Sequence, residues 1–226
     1  MEHSSKKKIG KSVLVVVAHP DDEAIGCAGT ILKHTLNGDK VQILILSDGF
    51  SSRLNGEKRD NTAYEVSSEL GCKKPILCNF PDNKLDSIPL IDLVKRIEQV
   101  ISEFSPEIIY THHVGDLNID HQITHKAVMT ACRPLPNSNV KQIYAFEILS
   151  SSEWQTPGYF PFIPNVYVDI SNYIETKKQI LIMYGEEMRD FPHSRSIENI
   201  INLASLRGAS VGINYAEAFM LLRKVC

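Results

Sequence analysis

The chain has 226 residues, of which 43% are hydrophobic and 23% charged, and its formal net charge is -3. Those values exclude a disordered chain and give no push toward nucleic acid or an anionic membrane as a partner. The five cysteines (Cys27, Cys72, Cys78, Cys132, Cys226) are scattered with no C-x-x-C pair, which argues against a disulfide framework or a structural zinc knuckle and fits a reducing compartment.

The length suits one sizeable α/β domain covering residues 1–226. Residues 1–11, with Lys6-Lys7-Lys8, read as a flexible N-terminal arm. No apolar run approaches the roughly 18 residues of a membrane span. Residues 13–18 are too short for the apolar core of a signal peptide, so a cytoplasmic location is expected.

Taken in order, residues 13–18, 41–47, 76–78 and 108–111 are short, nearly continuous apolar runs, as in parallel strands buried on both faces. Helical segments lie between them. Residues 23–36 end at Asn37-Gly38, and residues 59–70 end at Gly71. In residues 90–104, Leu90, Leu93, Val94, Ile97, Ile101 and Phe104 share one face, and Ser105-Pro106 stops the helix. A fourth helix is expected over residues 120–133.

The last third differs. Residues 140–149 and 166–170 read as strands, separated by a Pro/Gly/aromatic loop through Trp154, Pro157, Gly158 and Pro164. Asn172 with Glu175 resembles a capping box opening a helix that reaches about Met188. Another helix covers residues 196–206, stopped by Gly208. The βαβα order predicts a Rossmann-like, doubly wound, mostly parallel sheet flanked by helices, with the C-terminal strands and helices completing the same domain.

Each predicted parallel strand runs into residues of catalytic type. The first leads into Ala18-His19-Pro20-Asp21-Asp22-Glu23, one imidazole and three carboxylates within five positions. Such crowding of negative charge is unfavourable unless a cation or a functional need offsets it. The second strand gives Asp48, and the third leads to Asp82 and Asp86. The fourth leads to His112, His113, Asp116, Asn118, Asp120 and His121. Four of the eight histidines fall between 112 and 125, at the sheet edge where the first strand also ends. Aspartates at a helix start often serve only as caps; two His/Asp clusters at the ends of different strands favour a shared metal site. His121 and His125, four apart, form a rival chelating pair, but H-x-x-x-H without an intervening Glu has weak specificity. Cys27 reads as a small buried hydrophobe.

The His-Pro-Asp-Asp-Glu block after the first strand, with Asp120-His121 after a later one, resembles the LmbE-like (PIG-L) family of zinc-dependent N-deacetylases. The resemblance continues through Ser47-Asp48-Gly49, Phe80-Pro81-Asp82-Asn83, Phe146-Glu147-Ile148-Leu149-Ser150-Ser151, Pro192-His193-Ser194-Arg195-Ser196, Arg207-Gly208 and Tyr215-Ala216-Glu217-Ala218-Phe219. It implies Zn2+ held by His19, Asp22 and His121, with Asp21 as general base and Asp120 orienting a histidine. It also implies sugar contacts from Arg59 and Asp82. Glu217 and His193 lie in family-like blocks and are further candidates for substrate binding, while Trp154 or Tyr159 could stack on a sugar ring. Many members read His-x-x-His at the second ligand, where the first histidine stabilises the oxyanion; this chain reads Asn118-Ile119-Asp120-His121. An Asn amide donates a hydrogen bond but brings no charge, so Asn118, or His113, His125 or His193 from elsewhere, takes that role.

The expected activity is removal of the N-acetyl group from an N-acetylglucosamine-type sugar or conjugate, with the loop of residues 150–165 choosing the aglycone. The resemblance further suggests a homo-oligomer, trimeric or hexameric. Two other readings stay open: an amidase acting on a larger acyl group or a thiol-sugar conjugate, and a non-catalytic nucleotide-binding module. Against the latter, the first βα turn lacks G-x-G-x-x-G, and its acidic residues would repel a phosphate.

Overall fold

Val13-Leu14-Val15-Val16-Val17 contains no polar residue, and all five side chains are fully buried. A strand of this kind must be covered on both faces, which fixes its place at the centre of a sheet. The computed structural model describes residues 10–51 and 60–226. Within them this segment is β1 (Ser12–Val17), paired in parallel with β2 (Lys40–Ser47) on one side and β4 (Ile108–His112) on the other. β3 (Ile76–Phe80) extends the sheet beyond β2, and β5 (Gln142–Phe146) extends it in parallel beyond β4. β7 (Ala216–Lys224) then pairs antiparallel with β5, and β6 (Val166–Asp169) antiparallel with β7. The strand order is β3-β2-β1-β4-β5-β7-β6.

Alternation along β1 divides the core. Val13, Val15 and Val17 join one apolar layer, while Leu14, Val16 and Ala18 join the other. The first layer packs under α1 (Asp22–Leu36), α2 (Asp60–Glu69), α5 (Ile174–Met183) and α6 (Ile197–Ala209). The second packs under α3 (Leu90–Phe104) and α4 (Ile119–Ala131). Each fully buried Val or Leu of the central strand contributes about 1.5–3 kcal/mol. The doubly wound, mostly parallel sheet expected from the βαβα order is present. No helix among the described residues is long and apolar enough to cross a membrane.

Four local expectations need correction. β7 was not anticipated, because its sequence runs half-buried and gains its register only by lying between β5 and β6. The strand expected over residues 140–149 shortens to β5. Asn172 and Glu175 form no capping box: a 3-10 turn at Ser171–Tyr173 precedes α5, whose N-cap is Tyr173 without a side-chain cap bond, and α5 stops at Met183 rather than near Met188. Gly208 lies inside α6 instead of ending it; a Cβ there would stand 2.7 Å from the Ile213 carbonyl oxygen, so the glycine serves close backbone approach. The expectation for residues 59–70 is met over the described part, while Arg59 and most of the N-terminal arm lie outside the described residues.

β1 and β4 are neighbours whose chain continuations leave to opposite sides, β2 on one and β5 on the other. The crevice beyond the carboxyl ends of two such strands is where open α/β sheets place their ligands.

Candidate metal centre and cleft

The turn out of β1 and the start of α1 supply His19, Asp21 and Asp22; the N-terminal end of α4 supplies Asn118, Asp120 and His121. Asp22 and His121 are fully buried. His19 Nδ1 lies 3.3 Å from His121 Nε2 and 3.3 Å from Asp22 Oδ2, and His121 Nε2 lies 3.4 Å from Asp22 Oδ1. Four-coordinate zinc with ligand bonds of about 2.0–2.2 Å has neighbouring donor atoms about 3.3–3.6 Å apart. The three side chains therefore already stand at the spacing such an ion requires.

Three further observations bear on the fit. Asp22 Oδ1 is buried without a hydrogen-bond partner, a costly arrangement for a carboxylate oxygen unless something positive meets it. Each imidazole also has a carboxylate at its far nitrogen: Asp120 Oδ2 is 3.1 Å from His19 Nε2, and Asp116 Oδ1 is 3.1 Å from His121 Nδ1. A proton on His19 Nε2, hydrogen-bonded to Asp120, and one on His121 Nδ1, beside the Asp116 carboxylate, would leave the two nitrogens that face each other as the ligating ones, the tautomer a metal needs. Asp116 is itself held by Ser151 Oγ, by Ser152 Oγ at 2.7 Å and by the Asn118 backbone N–H at 2.9 Å. Asp120 Oδ1 accepts from the Leu85 N–H at 3.0 Å. The residues fit a divalent cation.

The surrounding carboxylates favour positive charge at this point, carried by protons on the imidazoles or by a cation that displaces them. Burial alone would depress both imidazoles, but Asp120, Asp22 and Asp82 raise His19 to about 10, and Asp22 and Asp116 raise His121 to about 9. Asp22 is held well below the carboxylate range by His121 and His112, against its burial. Asp116 falls to about 2, where His121 and the two serine hydroxyls outweigh burial. His112 behaves oppositely: burial and the neighbouring His121 lower it to about 4. Its Nε2 accepts from the Ala18 N–H at 2.9 Å and its ring stacks on His121 at 3.9 Å, so it packs behind the site rather than joining it.

Asp21 borders the same cleft, together with His19, Gly49, Asp82, Asn83, Asn118, Glu187 and Arg195. Its backbone stands at φ 120, in the left-handed half of conformational space where a non-glycine residue is strained. Asp82, expected to touch sugar, is buried in this cleft with Oδ1 3.3 Å from His19 Nε2. Asn118 is the N-cap of α4; its Oδ1 accepts from the Asp120 N–H at 2.8 Å, which orients the amide and leaves Nδ2 as the donor.

Other expected residues lie elsewhere. Glu217 does not line this cleft: it accepts from the Gly29 and Thr30 N–H groups at 3.0 and 2.7 Å and from Lys177 Nζ at 2.5 Å, buried beneath α1. His193 is exposed, with Nδ1 accepting from the Arg195 N–H at 3.0 Å and its ring edge-on to Trp154 at 5.6 Å. His113 Nε2 meets the Phe160 carbonyl at 2.6 Å, and His125 Nδ1 meets the His112 carbonyl at 2.9 Å. None of these three histidines lines the cleft, whereas Asn118 does. Arg59 is outside the described residues. The sequence reading gave no role to Asp116, Glu187 and Arg195; the serines at 151–152 and the Pro-His-Ser-Arg block were the available signals.

Comparison with known proteins places the chain in a family. The family model described as PIG-L, GlcNAc-PI de-N-acetylase, matches residues 14–132. A diacetylchitobiose deacetylase of Thermococcus kodakarensis is 32% identical over 229 residues, covering 92% of this chain and 81% of the relative. Among solved structures, the N,N'-diacetylchitobiose deacetylase of Pyrococcus horikoshii superimposes with a TM-score of 0.77 at 21% identity, over 94% of this chain and 84% of that one. A 4-carboxy-2-hydroxymuconate hydratase of Pseudomonas putida KT2440 superimposes at 0.73 with 20% identity, over 96% and 98% of the two chains. The fold therefore hosts more than one reaction, and the chemistry must be read from the site. The motif match and the identity to the curated relative show that the chain belongs to the PIG-L family of deacetylases.

Proposed function

We propose that the protein is a zinc-dependent N-deacetylase that releases acetate from an N-acetylglucosamine-type sugar or sugar conjugate. The observation that carries this reading is the His19, Asp22 and His121 triangle, three side chains whose ligand atoms lie within 4.8 Å of one another, beside the buried Asp21. The names of the similar deacetylases support the choice of an N-acetyl sugar.

When bound by those three residues, the ion polarises the acetamide carbonyl and lowers the pKa of a water from 15.7 toward about 7. Asp21 takes the water's proton as it attacks, then returns a proton to the departing amine. Asn118 Nδ2 donates to the oxygen of the tetrahedral carbon, in the place where many relatives carry histidine. Asp116 and Asp120 hold the two imidazoles in the ligating tautomer. Asp82 offers an acceptor to a sugar hydroxyl from the cleft wall.

The test is acetate release from free, nucleotide-linked and lipid-linked N-acetylglucosamine and from N,N'-diacetylchitobiose, with and without chelator, alongside metal content by elemental analysis. Chelator-sensitive acetate release with one zinc per chain is the expected result. Stoichiometric zinc without acetate release from any member, together with release of a larger acid from a longer amide, would replace the reading with the amidase.

A further inference from the structure

Asp21 is fixed along its backbone, and a cation from the far end of the chain meets its carboxylate. Its N–H donates to Glu23 Oε2 at 3.2 Å, and its carbonyl accepts from the Ala24 and Ile25 N–H groups at 3.0 Å. The side chain makes no cap hydrogen bond to α1 although it occupies the N-cap position. Its Oδ2 instead accepts from Arg195 Nη1 at 3.1 Å, across 174 residues of sequence.

Arg195 is anchored in turn. Its Nε donates to Ser150 Oγ at 2.9 Å. The Ser150 N–H donates to Glu153 Oε1 at 2.7 Å and to Ser194 Oγ at 3.2 Å, and Ser194 Oγ bonds Glu153 Oε1. The Arg195 carbonyl accepts from the Arg189 N–H at 3.2 Å. A guanidinium is planar, so satisfying Ser150 at Nε and Asp21 at Nη1 together fixes the direction from which Asp21 is approached. It also never gives up its proton, so it cannot share the base's work and can act only through position and charge.

From this geometry we infer that Arg195 is a positioning residue of the deacetylation reaction: it ties Asp21 Oδ2 to the loop that starts at Ser150 and so sets the direction in which the carboxylate faces the reacting water. The inference rests on Asp21 being the base. Misplacing a reacting group by about 1 Å costs about 10²-fold in rate. The tie also joins the base to the segment bearing Trp154, the residue next to Glu153, so the strand-end chemistry and the aromatic loop share one support.

The experiment measures acetate release from N,N'-diacetylchitobiose, or from whichever panel member is turned over, by zinc-loaded protein. Arg195→Ala should lower kcat about 10- to 100-fold with KM within about twofold and zinc content unchanged. Guanidinium chloride at millimolar concentration should restore part of that loss. Arg195→Lys keeps the charge but cannot reach two acceptors in one plane, and should recover less than added guanidinium does. In an Asp21→Asn background the same Arg195→Ala change should cost nothing further, because residues acting through one another are non-additive. A normal kcat in Arg195→Ala overturns the inference. So does a loss that persists undiminished in the Asp21→Asn background, which would make Arg195 a direct substrate contact. If Arg195→Ala fails to fold, Ser150→Ala removes the other end of the tie: a smaller fall in kcat supports the inference and an unchanged kcat overturns it. Near-normal turnover in Asp21→Asn alone would instead remove the base assignment, a separate outcome.

Discussion

The Nδ1 of His19 and the Nε2 of His121 face each other at 3.3 Å, brought from 102 positions apart by the adjacency of β1 and β4. Each ring has its other nitrogen against a carboxylate, Asp120 for His19 and Asp116 for His121. A divalent cation would meet both nitrogens and the unpartnered Asp22 oxygen at once, replacing the protons that the surrounding carboxylates otherwise hold on the two rings.

Removing a ligand and removing its support should differ in degree. His121→Ala is expected to lose zinc altogether, as read by elemental analysis after dialysis. Asp116→Asn should retain the site but bind zinc about 10- to 100-fold more weakly, the usual effect of losing a carboxylate behind a ligating histidine. Equal zinc affinity in Asp116→Asn and the unaltered protein would show that Asp116 serves only Ser151, Ser152 and the Asn118 turn.

Asp21→Asn should keep its zinc while kcat falls by about 10²–10⁴, the range supplied by general acid-base catalysis. The comparison is made at equal metal content. Turnover within threefold of normal would sink the base assignment.

Asn118 has two jobs that a single substitution can separate. Asn118→Asp keeps an acceptor for the Asp120 N–H and so preserves the helix cap, but removes the amide donor. Its kcat should fall about 10²–10³-fold, the cost of losing one oxyanion donor, with thermal stability little changed. An unchanged kcat would move oxyanion stabilisation away from this side chain.

Glu217 and Lys177 form a buried pair beneath α1, with Lys177 Nζ also donating to the Ile25 carbonyl at 2.8 Å. Lys177→Met would leave the carboxylate buried without its cation, a change that costs about 3–5 kcal/mol. The midpoint of urea unfolding should drop accordingly, while KM of the folded protein stays the same. A raised KM with unaltered stability would return Glu217 to substrate binding.

His34 bears on pH dependence away from the cleft. Burial lowers its pKa below 6.5 in spite of Asp39, whose carboxylate is 2.6 Å from Nδ1; Nε2 meets Tyr110 Oη at 3.0 Å. The folded state therefore prefers the neutral ring. Above pH 6.5 both states are neutral and nothing is lost; as pH falls from there toward the folded pKa, the unfolded chain takes up a proton first and stability drops. Urea unfolding at pH 8 and pH 5.5 should show a smaller acid-induced loss in His34→Gln than in the unaltered chain. An equal loss in both would remove His34 as the cause.

Short-range chemistry was enough to place β1 and the charged turn after it, because five consecutive apolar residues demand burial on both faces and the turn that follows must carry the chain out of the sheet. It was also enough to favour a shared metal site, since carboxylate and imidazole groups clustered at two strand ends announce a cation, while the choice of Asp22 and His121 as ligands came from the family resemblance. Roles that depend on a partner were out of reach. Asp116 looked like one more acidic residue until Ser151, Ser152 and His121 closed around it. Glu217 sat in a suggestive block, yet Lys177 and two α1 amides claim its carboxylate. β7 took its register from strands on both sides, which no local pattern encodes. Arg195 reached Asp21 from the far end of the chain. Apolar periodicity is a property of neighbouring residues and survives in the linear chain, whereas the role of a charged group is set by whatever opposite charge or N–H folding brings within about 3 Å.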